Sequence, residues 1–522
     1  MLNRRNLGLA AGALALARHR PAHAATKELR FRLVEDPEML WSGQSVSLTV
    51  NTVVGTYLVE RLVYQGTDGR PQPWLAESWD FSEDAKQITF KLRQGVKFHD
   101  GTDFDAAAVK FHFDTILDPA RASPVRPIIA ALESVDVVDP ATVRFNFSRP
   151  FAPFMTLLGG GAYGINSPTA VQRLGRQYGR RPVGTGPYRF VSWAPGTEIV
   201  LERNPTFRQL RADAVNKGAP YADRITLSVI PEEGVAYSAL MTRELAAAEL
   251  QTDTVERLAR DRNFKLVVDE NGKNLSFLEF AFRPPFDDPR MREAVSWALD
   301  RAAIVRAAYA GYAVEVRGPM SRGIPGYDEA VAQQFGTGYD PQRARAILAD
   351  LGWTDPGRRG VLSKDGKEAR FALRSYSNPV AERILAVTQR NLAEVGIQVS
   401  LSTSDWGSFY PGLLRDGWDI NFMRWTSFDP FVLVQLFRHP GHRRALPRFD
   451  GLDEALSGIE TTLDPARRQT FVSEAQKLLL QNRVIVPLLT NFNVTIIQAG
   501  LESYVPDAFN LVKPGDLRMA NW

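Results

Sequence analysis

Hydrophobic and polar positions between residues 73 and 119 predict short strands followed by a helix. Apolar and polar residues alternate along residues 88–92, which is typical of a half-buried strand, and a second short strand runs into a glycine-containing turn. After the turn, Asp103 or Asp105 can cap a helix by accepting hydrogen bonds from its first N–H groups. Asp118, which precedes a proline, ends that helix. The segment is therefore predicted to be a small hairpin-rich unit.

The same patterns predict alternating strands and helices along the rest of the chain. A strand, a helix and a second strand over residues 371–401 indicate a β-α-β crossover. One long helix is predicted to begin at Asp288-Pro289 and to end before Gly311. This alternation places the chain in the α/β class. Further predictions are a hairpin over residues 134–147, strands over 29–34, 188–193, 199–202, 223–230 and 265–268, and a helix over 236–249.

Gly184 and Gly186 have a spacing that is also found in phosphate-binding loops. Such a loop follows a strand and opens a helix, so that backbone N–H groups meet the phosphate. Here the glycines are followed by residues 188–193, which have the pattern of a strand. The spacing therefore favours a tight turn over a phosphate site.

The order of residues 75–114, LAESWDFSEDAKQITFKLRQGVKFHDGTDFDAAAVKFHFD, resembles the signature segment of a known family. The family comprises the extracytoplasmic solute-binding proteins, family 5, of peptide, dipeptide and nickel ABC importers. Residues 184–190 and the helix after Asp288 resemble two further blocks of this family. The resemblance implies an α/β, two-lobed periplasmic binding protein of type II (class C), with an extra subdomain in the first lobe and a hinge between the lobes.

The resemblance also implies where the lobes begin and end. Lobe I is expected to comprise residues 25–283 and 480–522, with its subdomain at about residues 50–180. Lobe II is expected to comprise residues 284–479. Two segments that cross between the lobes, near residues 270–284 and 480–490, would form the hinge.

Residues 1–24 have the pattern of a targeting segment. Arg4 and Arg5 precede an apolar run of eleven residues that is too short to span a bilayer, and an Ala-His-Ala cleavage site ends at Ala24. The paired arginines favour twin-arginine export. The chain has no cysteine, which excludes disulfides, thiol catalysis and a lipid anchor on cysteine. The expected location is therefore periplasmic, exported and soluble.

The charge of the chain gives no reason to expect a nucleic acid as a partner. Arginines of the targeting segment account for the formal net charge of +4, and the remaining residues carry 59 acidic groups and an equal number of basic groups. A general basic field is therefore absent. By the resemblance, the partners are a small-molecule or peptide ligand and the ABC permease and ATPase complex of the inner membrane, and the protein itself is expected to be a monomer. A role in sensing or in chaperoning remains open on the sequence.

An enzyme is not expected, because the sequence contains no recognisable nucleophile motif and no metalloprotease motif. A periplasmic peptide hydrolase is the competing class, and no cofactor is expected. His439 and His442 are candidate metal ligands, since two imidazoles around a turn can meet one ion and nickel-binding relatives place a histidine loop nearby. Arg438, Arg443 and Arg444 surround them and would repel a cation. A nickel-binding or metal-chelate-binding member of the family is thus the alternative.

Arg383 is the candidate receptor for an anionic group of the ligand. It lies near the start of the predicted helix over residues 379–395, in a segment that resembles the one in dipeptide binders whose arginine receives the ligand carboxylate. A planar guanidinium near a helix N-terminus favours an anion. The alternative is an ordinary solvated arginine on a helix face.

The segment around Trp425 departs from the pattern of the peptide-binding relatives. These relatives have an aspartate three positions after a tryptophan, and its carboxylate pairs with the ammonium of the ligand. Phe428 occupies that position here, and Asp429 either takes over the role or only initiates a turn before Pro430. We therefore expect a ligand with an anionic or oxygen-rich end and no obligatory α-ammonium, packed against aromatic walls. The predicted ligand-binding residues are Arg383, Trp406, Trp425, Ser427, Phe428 and Asp429.

Overall fold

The computed structural model describes residues 26–522, apart from residues 67–68, 251, 357–359, 406–407, 410–411, 413–416, 439–446, 508 and 510. The predicted targeting segment over residues 1–24 lies outside the described residues. So do three predicted site residues, namely Trp406, His439 and His442.

A mixed seven-stranded sheet, here called the first sheet, forms the framework of one lobe. The strand Glu28–Leu33 lies near its middle and runs parallel to both neighbouring strands. Leu29 and Phe31 alternate with half-buried charged residues and pack into the core of this lobe. In spatial order the strands are Phe264–Asp269, Asn493–Gln498, Ala247–Glu249, Glu28–Leu33, Arg224–Val229, Glu198–Arg203 and Tyr188–Ala194.

A six-stranded sheet, here called the second sheet, forms the framework of the other lobe. Its strand Asn274–Phe280 is buried along its whole length and pairs antiparallel with both neighbouring strands. The predicted crossover is confirmed, because two parallel strands of this sheet are joined by the helix Pro379–Glu394. In spatial order the strands are Ala313–Glu315, Ile485–Asn491, Asn274–Phe280, Ile420–Thr426, Arg370–Tyr376 and Gln398–Ser404.

Two adjacent strands run from the first sheet directly into the second. Phe264–Asp269 pairs with Asn493–Gln498 in the first sheet, and their continuations Asn274–Phe280 and Ile485–Asn491 pair in the second. The chain therefore crosses between the sheets at residues 270–273 and at Phe492. Crossings near these positions were expected. The predicted bounds of lobe I, at residues 283 and 480, would however include the strands Asn274–Phe280 and Ile485–Asn491 in that lobe. Their hydrogen bonding places both strands in the second sheet.

The subdomain in the first lobe has the predicted helix, the strand around residues 88–92 and the hairpin over residues 134–147, but the predicted second short strand is only an isolated bridge between Lys97 and Asp103. Its helix Ala106–Leu117 is capped by Asp105, which accepts a hydrogen bond of 2.9 Å from the backbone N–H of Ala108. Phe113 of this helix packs edge-on against Phe145 of the sheet, with ring centroids 4.8 Å apart. The strands, in spatial order, are Ala76–Phe81, Gln87–Leu92, Thr142–Phe147 and Leu132–Asp139.

Two predicted helices are wrong in the same way, because each is interrupted by a change of backbone conformation. The helix predicted over residues 236–249 ends at Met241, and residues 247–249 form a strand of the first sheet. The long helix after Asp288 is two helices, because Leu299 is extended and Asp300 caps the second one through a hydrogen bond of 2.8 Å from the N–H of Ala303.

The remaining described elements complete the two lobes. The α-helices are Leu48–Val53, Ala106–Leu117, Phe154–Leu157, Pro168–Leu174, Glu233–Met241, Thr252–Leu258, Pro289–Ala298, Arg301–Tyr309, Glu329–Phe335, Pro341–Asp350, Pro379–Glu394, Phe431–Phe437, Leu452–Thr461 and Pro465–Gln481. A π-helical turn covers Val54–Leu58, and 3₁₀ turns cover Pro119–Arg121, Arg126–Ile129, Gly161–Tyr163, Gly175–Arg180 and Pro514–Asp516. Short strands cover Val63–Gln65, Pro71–Pro73, Asp355–Pro356, Leu362–Lys364, Lys367–Glu368, Leu501–Glu502 and Arg518–Met519.

The subdomain contacts the helices that follow the second sheet. Phe151 packs edge-on against Phe431, with ring centroids 5.4 Å apart. The buried carboxylate of Glu460 accepts from Arg149 at 2.9 Å and from Arg438 at 2.7 Å, so it links both sides of this contact. Since a buried charge is stable only with such partners, this contact depends on the pairing of Glu460.

A buried acid lies at the start of the subdomain. The Glu60 side chain is 1% exposed and accepts a hydrogen bond of 2.8 Å from the indole N–H of Trp74. Burial raises its pKa from the ordinary 4.5 to about 7, although the hydrogen bond from Trp74 and the charge of Arg61 oppose the increase. The folded protein therefore holds this proton more tightly than the unfolded chain does.

We expect Glu60→Gln to reduce the dependence of stability on pH. The raised pKa contributes stability that is fully present below about pH 4.5 and is lost as the pH rises through about 7. Glutamine keeps an acceptor for Trp74 and does not ionise. The thermal midpoint, measured from pH 5 to 8, should fall more steeply for the wild type than for the variant. Glu77→Gln, an exposed change in the same subdomain, is the control, and parallel curves for wild type and Glu60→Gln would contradict the prediction.

Candidate ligand-binding cleft

A cleft between the two sheets holds a cavity of about 370 Å³, here called the polar compartment. From the first sheet it is lined by the carboxyl ends of the strands Glu28–Leu33 and Ala247–Glu249, and from the second by the end of Ile420–Thr426. Open α/β sheets commonly bind ligands at the carboxyl ends of their strands. Polar or charged side chains on the wall include Arg32, Thr52, Thr56, Glu249, Lys273, Asn274, Arg424, Thr426, Asn491, Asn493 and Tyr504.

A second cavity of about 350 Å³, here called the apolar compartment, adjoins the first. Phe428 and Phe509 line both cavities, and their ring centroids are 4.1 Å apart with an interplanar angle of 33°. The two rings therefore lie where the compartments meet. The apolar side chains that line the apolar compartment include Val46, Leu48, Val125, Ile128, Leu157, Trp425, Phe431 and Leu511.

Arg424 is a charged residue of the cleft that the sequence predictions missed. It is exposed to the cavity, although it follows four buried residues of the strand Ile420–Thr426. Its guanidinium bonds to the hydroxyl of Tyr309. Burial lowers the pKa of Arg424, but Tyr376, Tyr309 and the carboxylate of Glu249 outweigh this and hold the pKa above its ordinary value. A single charged residue in a mainly apolar strand is the signal that could have identified it.

Two other cations of the polar compartment are held by backbone carbonyls. Arg32 donates to the carbonyls of Ile230, Pro231 and Glu249 at 2.7–2.8 Å, and so connects the strand ends of the first sheet. Lys273 donates to the carbonyl of Gly323, and burial lowers its pKa. Arg424, by contrast, contacts a tyrosine hydroxyl and lines the cavity with a guanidinium that carries five N–H donors, so it is better suited to contact an anion.

The structure places Arg383 beside the cleft and not in the wall of either compartment. It lies on the helix Pro379–Glu394 and donates to the carbonyl of Ala308 at 3.4 Å. Burial raises the pKa of Tyr309, and the charges of Arg424 and Arg383 both oppose that increase. The positive charges of Arg383 and Arg424 thus both act on the hydroxyl of Tyr309. Arg383 does not line the apolar compartment, whereas Trp425 and Phe428 do.

The other predicted residues in the described part of the chain lie together. Trp425, Ser427, Phe428 and Asp429 all line the apolar compartment. Phe428 and Trp425 supply aromatic surface there, and the hydroxyl of Ser427 donates to the carbonyl of Asp429 at 3.0 Å, which closes the turn. Trp425 and Phe428 therefore share one aromatic wall, and Phe509 belongs to it as a residue that the sequence did not identify.

Asp429 is committed to contacts within the protein. Its carboxylate accepts from Arg468 at 2.5 and 2.9 Å, from the hydroxyl of Thr156 at 3.2 Å and from the N–H of Phe431 at 2.8 Å. The side chain of Asp429 is 6% exposed and that of Arg468 is 16% exposed. These contacts favour the turn-forming role over the pairing with a ligand ammonium, since both oxygens are occupied.

The described residues give no support to a metal site. Within the described part, no group of three or more histidine, aspartate or glutamate side chains could hold a metal ion. The Nε2–H of His99 donates to the carbonyl of Gly186 at 2.9 Å, and burial lowers the pKa of His99 to about 4. Burial also lowers the pKa of His112 to about 3.

Across the described ranges, no helix is both long enough and apolar enough to cross a membrane.

We expect Asp429→Asn to destabilise the protein by about 3 kcal/mol, because it leaves the buried guanidinium of Arg468 without a counter-charge. Chemical denaturation monitored by tryptophan fluorescence measures this loss. The control is Asp350→Asn, since its pair with Arg290 is exposed and should contribute less than about 1 kcal/mol. Full stability of Asp429→Asn together with weaker ligand binding would instead assign Asp429 to the ligand.

Comparison with known proteins identifies the family of the chain. The family model of bacterial extracellular solute-binding proteins, family 5, matches residues 70–444. The glutathione-binding protein GsiB of Salmonella paratyphi A is 28% identical over 482 residues, which cover 88% of this chain and 90% of the relative. The structure of NikA from Brucella suis in complex with Fe(III)-EDTA has a TM-score of 0.83 and 25% identity, and the match covers 94% of this chain and 99% of that chain.

A third relative has the same fold around another ligand. The structure of AgaA from A. tumefaciens R10, in complex with agropinic acid, has a TM-score of 0.76 and 24% identity, and the match covers 94% of this chain and 98% of that chain. The two-sheet architecture and the cleft between the sheets agree with these matches. The chain belongs to the bacterial extracellular solute-binding proteins of family 5, which are substrate-binding components of ABC importers and not enzymes.

Proposed function

We propose that this protein captures a small solute with an anionic end in the periplasm and delivers it to the permease and ATPase of an ABC importer. The observation that carries the ligand class is the charge of the polar compartment. Arg32, Lys273 and Arg424 line it, against the single carboxylate of Glu249 among the described lining residues. A cavity with an excess of positive charge favours an anion.

The relatives support this ligand class through the chemistry of their ligands. They are described with glutathione, Fe(III)-EDTA and agropinic acid, and each of these compounds contains carboxyl groups. A modified peptide, a metal chelate and an opine-like acid all meet the requirement for one anionic end. In our proposal, Arg424 contacts the anionic end of the ligand. Arg383 does not contact the ligand, but its positive charge lies near Tyr309, whose hydroxyl contacts Arg424.

Closure around the ligand is the proposed mechanism of capture. The polar compartment has walls from both sheets, and the sheets are joined through two adjacent strands at residues 270–273 and Phe492. A ligand that contacts both walls only in the closed form shifts the population towards that form. The permease would then recognise the closed, loaded protein.

Compaction on ligand binding tests the mechanism. The solute is first recovered by native mass spectrometry of the protein purified from its own periplasm, and is then titrated into ligand-free protein during small-angle scattering. We expect the radius of gyration to decrease in proportion to occupancy. No compaction at saturation would refute the mechanism, and recovery of bound nickel would favour the metal-binding alternative.

We expect Arg424→Gln to weaken binding of the recovered solute by about 1.5–3 kcal/mol, the range for hydrogen bonds to charged groups. Arg383→Ala should have a smaller effect, because Arg383 acts through the field and not by contact. Arg390→Ala, an exposed change on the same helix as Arg383, is the matched control. Isothermal titration calorimetry measures all three, and a larger effect of Arg383→Ala than of Arg424→Gln would restore Arg383 as the direct contact.

A further inference from the structure

Glu249 and Arg424 carry opposite charges on opposite walls of the polar compartment. Glu249 ends the strand Ala247–Glu249 of the first sheet, and Arg424 lies near the end of Ile420–Thr426 in the second. Both side chains are exposed to the cavity. The pair therefore spans the cleft from one sheet to the other.

The carboxylate of Glu249 also acts on other groups of the same cavity. Burial lowers the pKa of Arg32, and Glu249 is one of the acids that oppose this. Burial raises the pKa of Tyr504 to about 12, and the charge of Glu249 adds to the increase. Glu249 thus lies within electrostatic range of Arg32, Arg424 and Tyr504, which places its charge inside the polar compartment.

This charge distinguishes between two kinds of anionic ligand. An anion bound to Arg424 comes close to the carboxylate of Glu249, and two like charges in a partly desolvated cleft repel each other. A ligand that also carries a cationic group removes that repulsion, because its cation can pair with Glu249 while its anion pairs with Arg424. The pair therefore selects against a simple anion and in favour of a zwitterion.

The adjoining compartment has a different chemistry. Its wall is mainly apolar, with Val125, Ile128, Leu157 and Trp425 among the lining residues. Phe428 and Phe509 stack where it meets the polar compartment. An apolar substituent on a ligand held by Glu249 and Arg424 can pass these rings and displace water from that surface.

We propose that Glu249 is the cation-binding residue of the cleft, and that the protein takes a zwitterion whose anionic group contacts Arg424 and whose apolar substituent occupies the apolar compartment beyond Phe428 and Phe509. This inference rests on the proposed function and deepens it, and it revises the expectation, drawn from Phe428, of a ligand with no obligatory α-ammonium. It assigns recognition of the cationic group to the first lobe, whereas the position of the corresponding aspartate in peptide-binding relatives is Phe428 in the second lobe.

The proposal explains how one ligand contacts both lobes. The cationic group is held from the first sheet by Glu249 and the anionic group from the second by Arg424. Glu249 and Arg424 line the same cavity from the two sheets, and in the proposed complex the zwitterion lies between them with its charges in the matching order. Each charged residue then keeps an opposite charge as a neighbour, so binding leaves neither buried without a partner.

Calorimetry with four probes on one scaffold tests the assignment. The probes are glycyl-phenylalanine, its N-acetyl derivative, its C-terminal amide and glycyl-glycine. We expect glycyl-phenylalanine to bind, and loss of either charge to weaken binding about tenfold or more. Glycyl-glycine should also bind more weakly, because it has no apolar substituent, and each methylene transferred from water contributes about fourfold in affinity.

Glu249→Gln provides the decisive comparison. The variant should lose about tenfold in affinity for glycyl-phenylalanine but none for the N-acetyl derivative, which has no cation for Glu249 to hold. Glu244→Gln is the matched control, since Glu244 is exposed in the preceding turn and lines neither compartment. An equal thermal midpoint of the two variants shows that folding is intact.

Two outcomes would overturn the inference and leave the proposed function standing. One is equal affinity of the wild type for glycyl-phenylalanine and its N-acetyl derivative. The other is failure of all four probes to bind at millimolar concentration, in a protein that still becomes compact with the solute recovered from its periplasm. If the protein does not become compact with the recovered solute either, the proposed function itself fails.

Discussion

The pairing of two neighbouring strands through both sheets is the constraint on which the architecture depends. Phe264–Asp269 and Asn493–Gln498 pair in the first sheet, and their continuations pair in the second. Only residues 270–273 and Phe492 lie between, so the two lobes share a short, doubly connected junction. Lys273, the last residue of one of these two connections, also lines the polar compartment, so the hinge and the binding cleft share a residue.

Buried charge pairs away from the hinge hold the wall of the cleft in place. Asp429 joins the loop after Ile420–Thr426 to Arg468 and to Thr156 of the subdomain. This loop carries Phe428, whose ring must meet Phe509 to separate the compartments. The carboxylate of Asp429 therefore affects the ligand cavity indirectly. It stabilises the conformation of the loop, since both of its oxygens accept hydrogen bonds from protein groups.

Local signals predicted the elements well wherever one residue controls one helix end. Asp105 caps its helix as the pattern indicates, and the crossover through Pro379–Glu394 follows from strand and helix periodicities. The failures occurred where an apolar run continued across a change of conformation. Residues 247–249 continue a helical pattern but pair with Phe31 and Ile497 in the first sheet, and those partners are remote in sequence.

The sequence by itself determined the family, the α/β class, the aromatic segment after Trp425 and the exclusion of thiol chemistry, because each of these depends on residues that are adjacent or follow a local period. Only the tertiary structure decided which charged groups share the cavity. Arg383 is closer to Arg424 in the sequence than Glu249 is, yet Glu249 lines the compartment and Arg383 does not. The physical reason is that a cleft forms between sheets, and the order of strands within the two sheets, which brings Glu249 to face Arg424, is set by long-range hydrogen bonding.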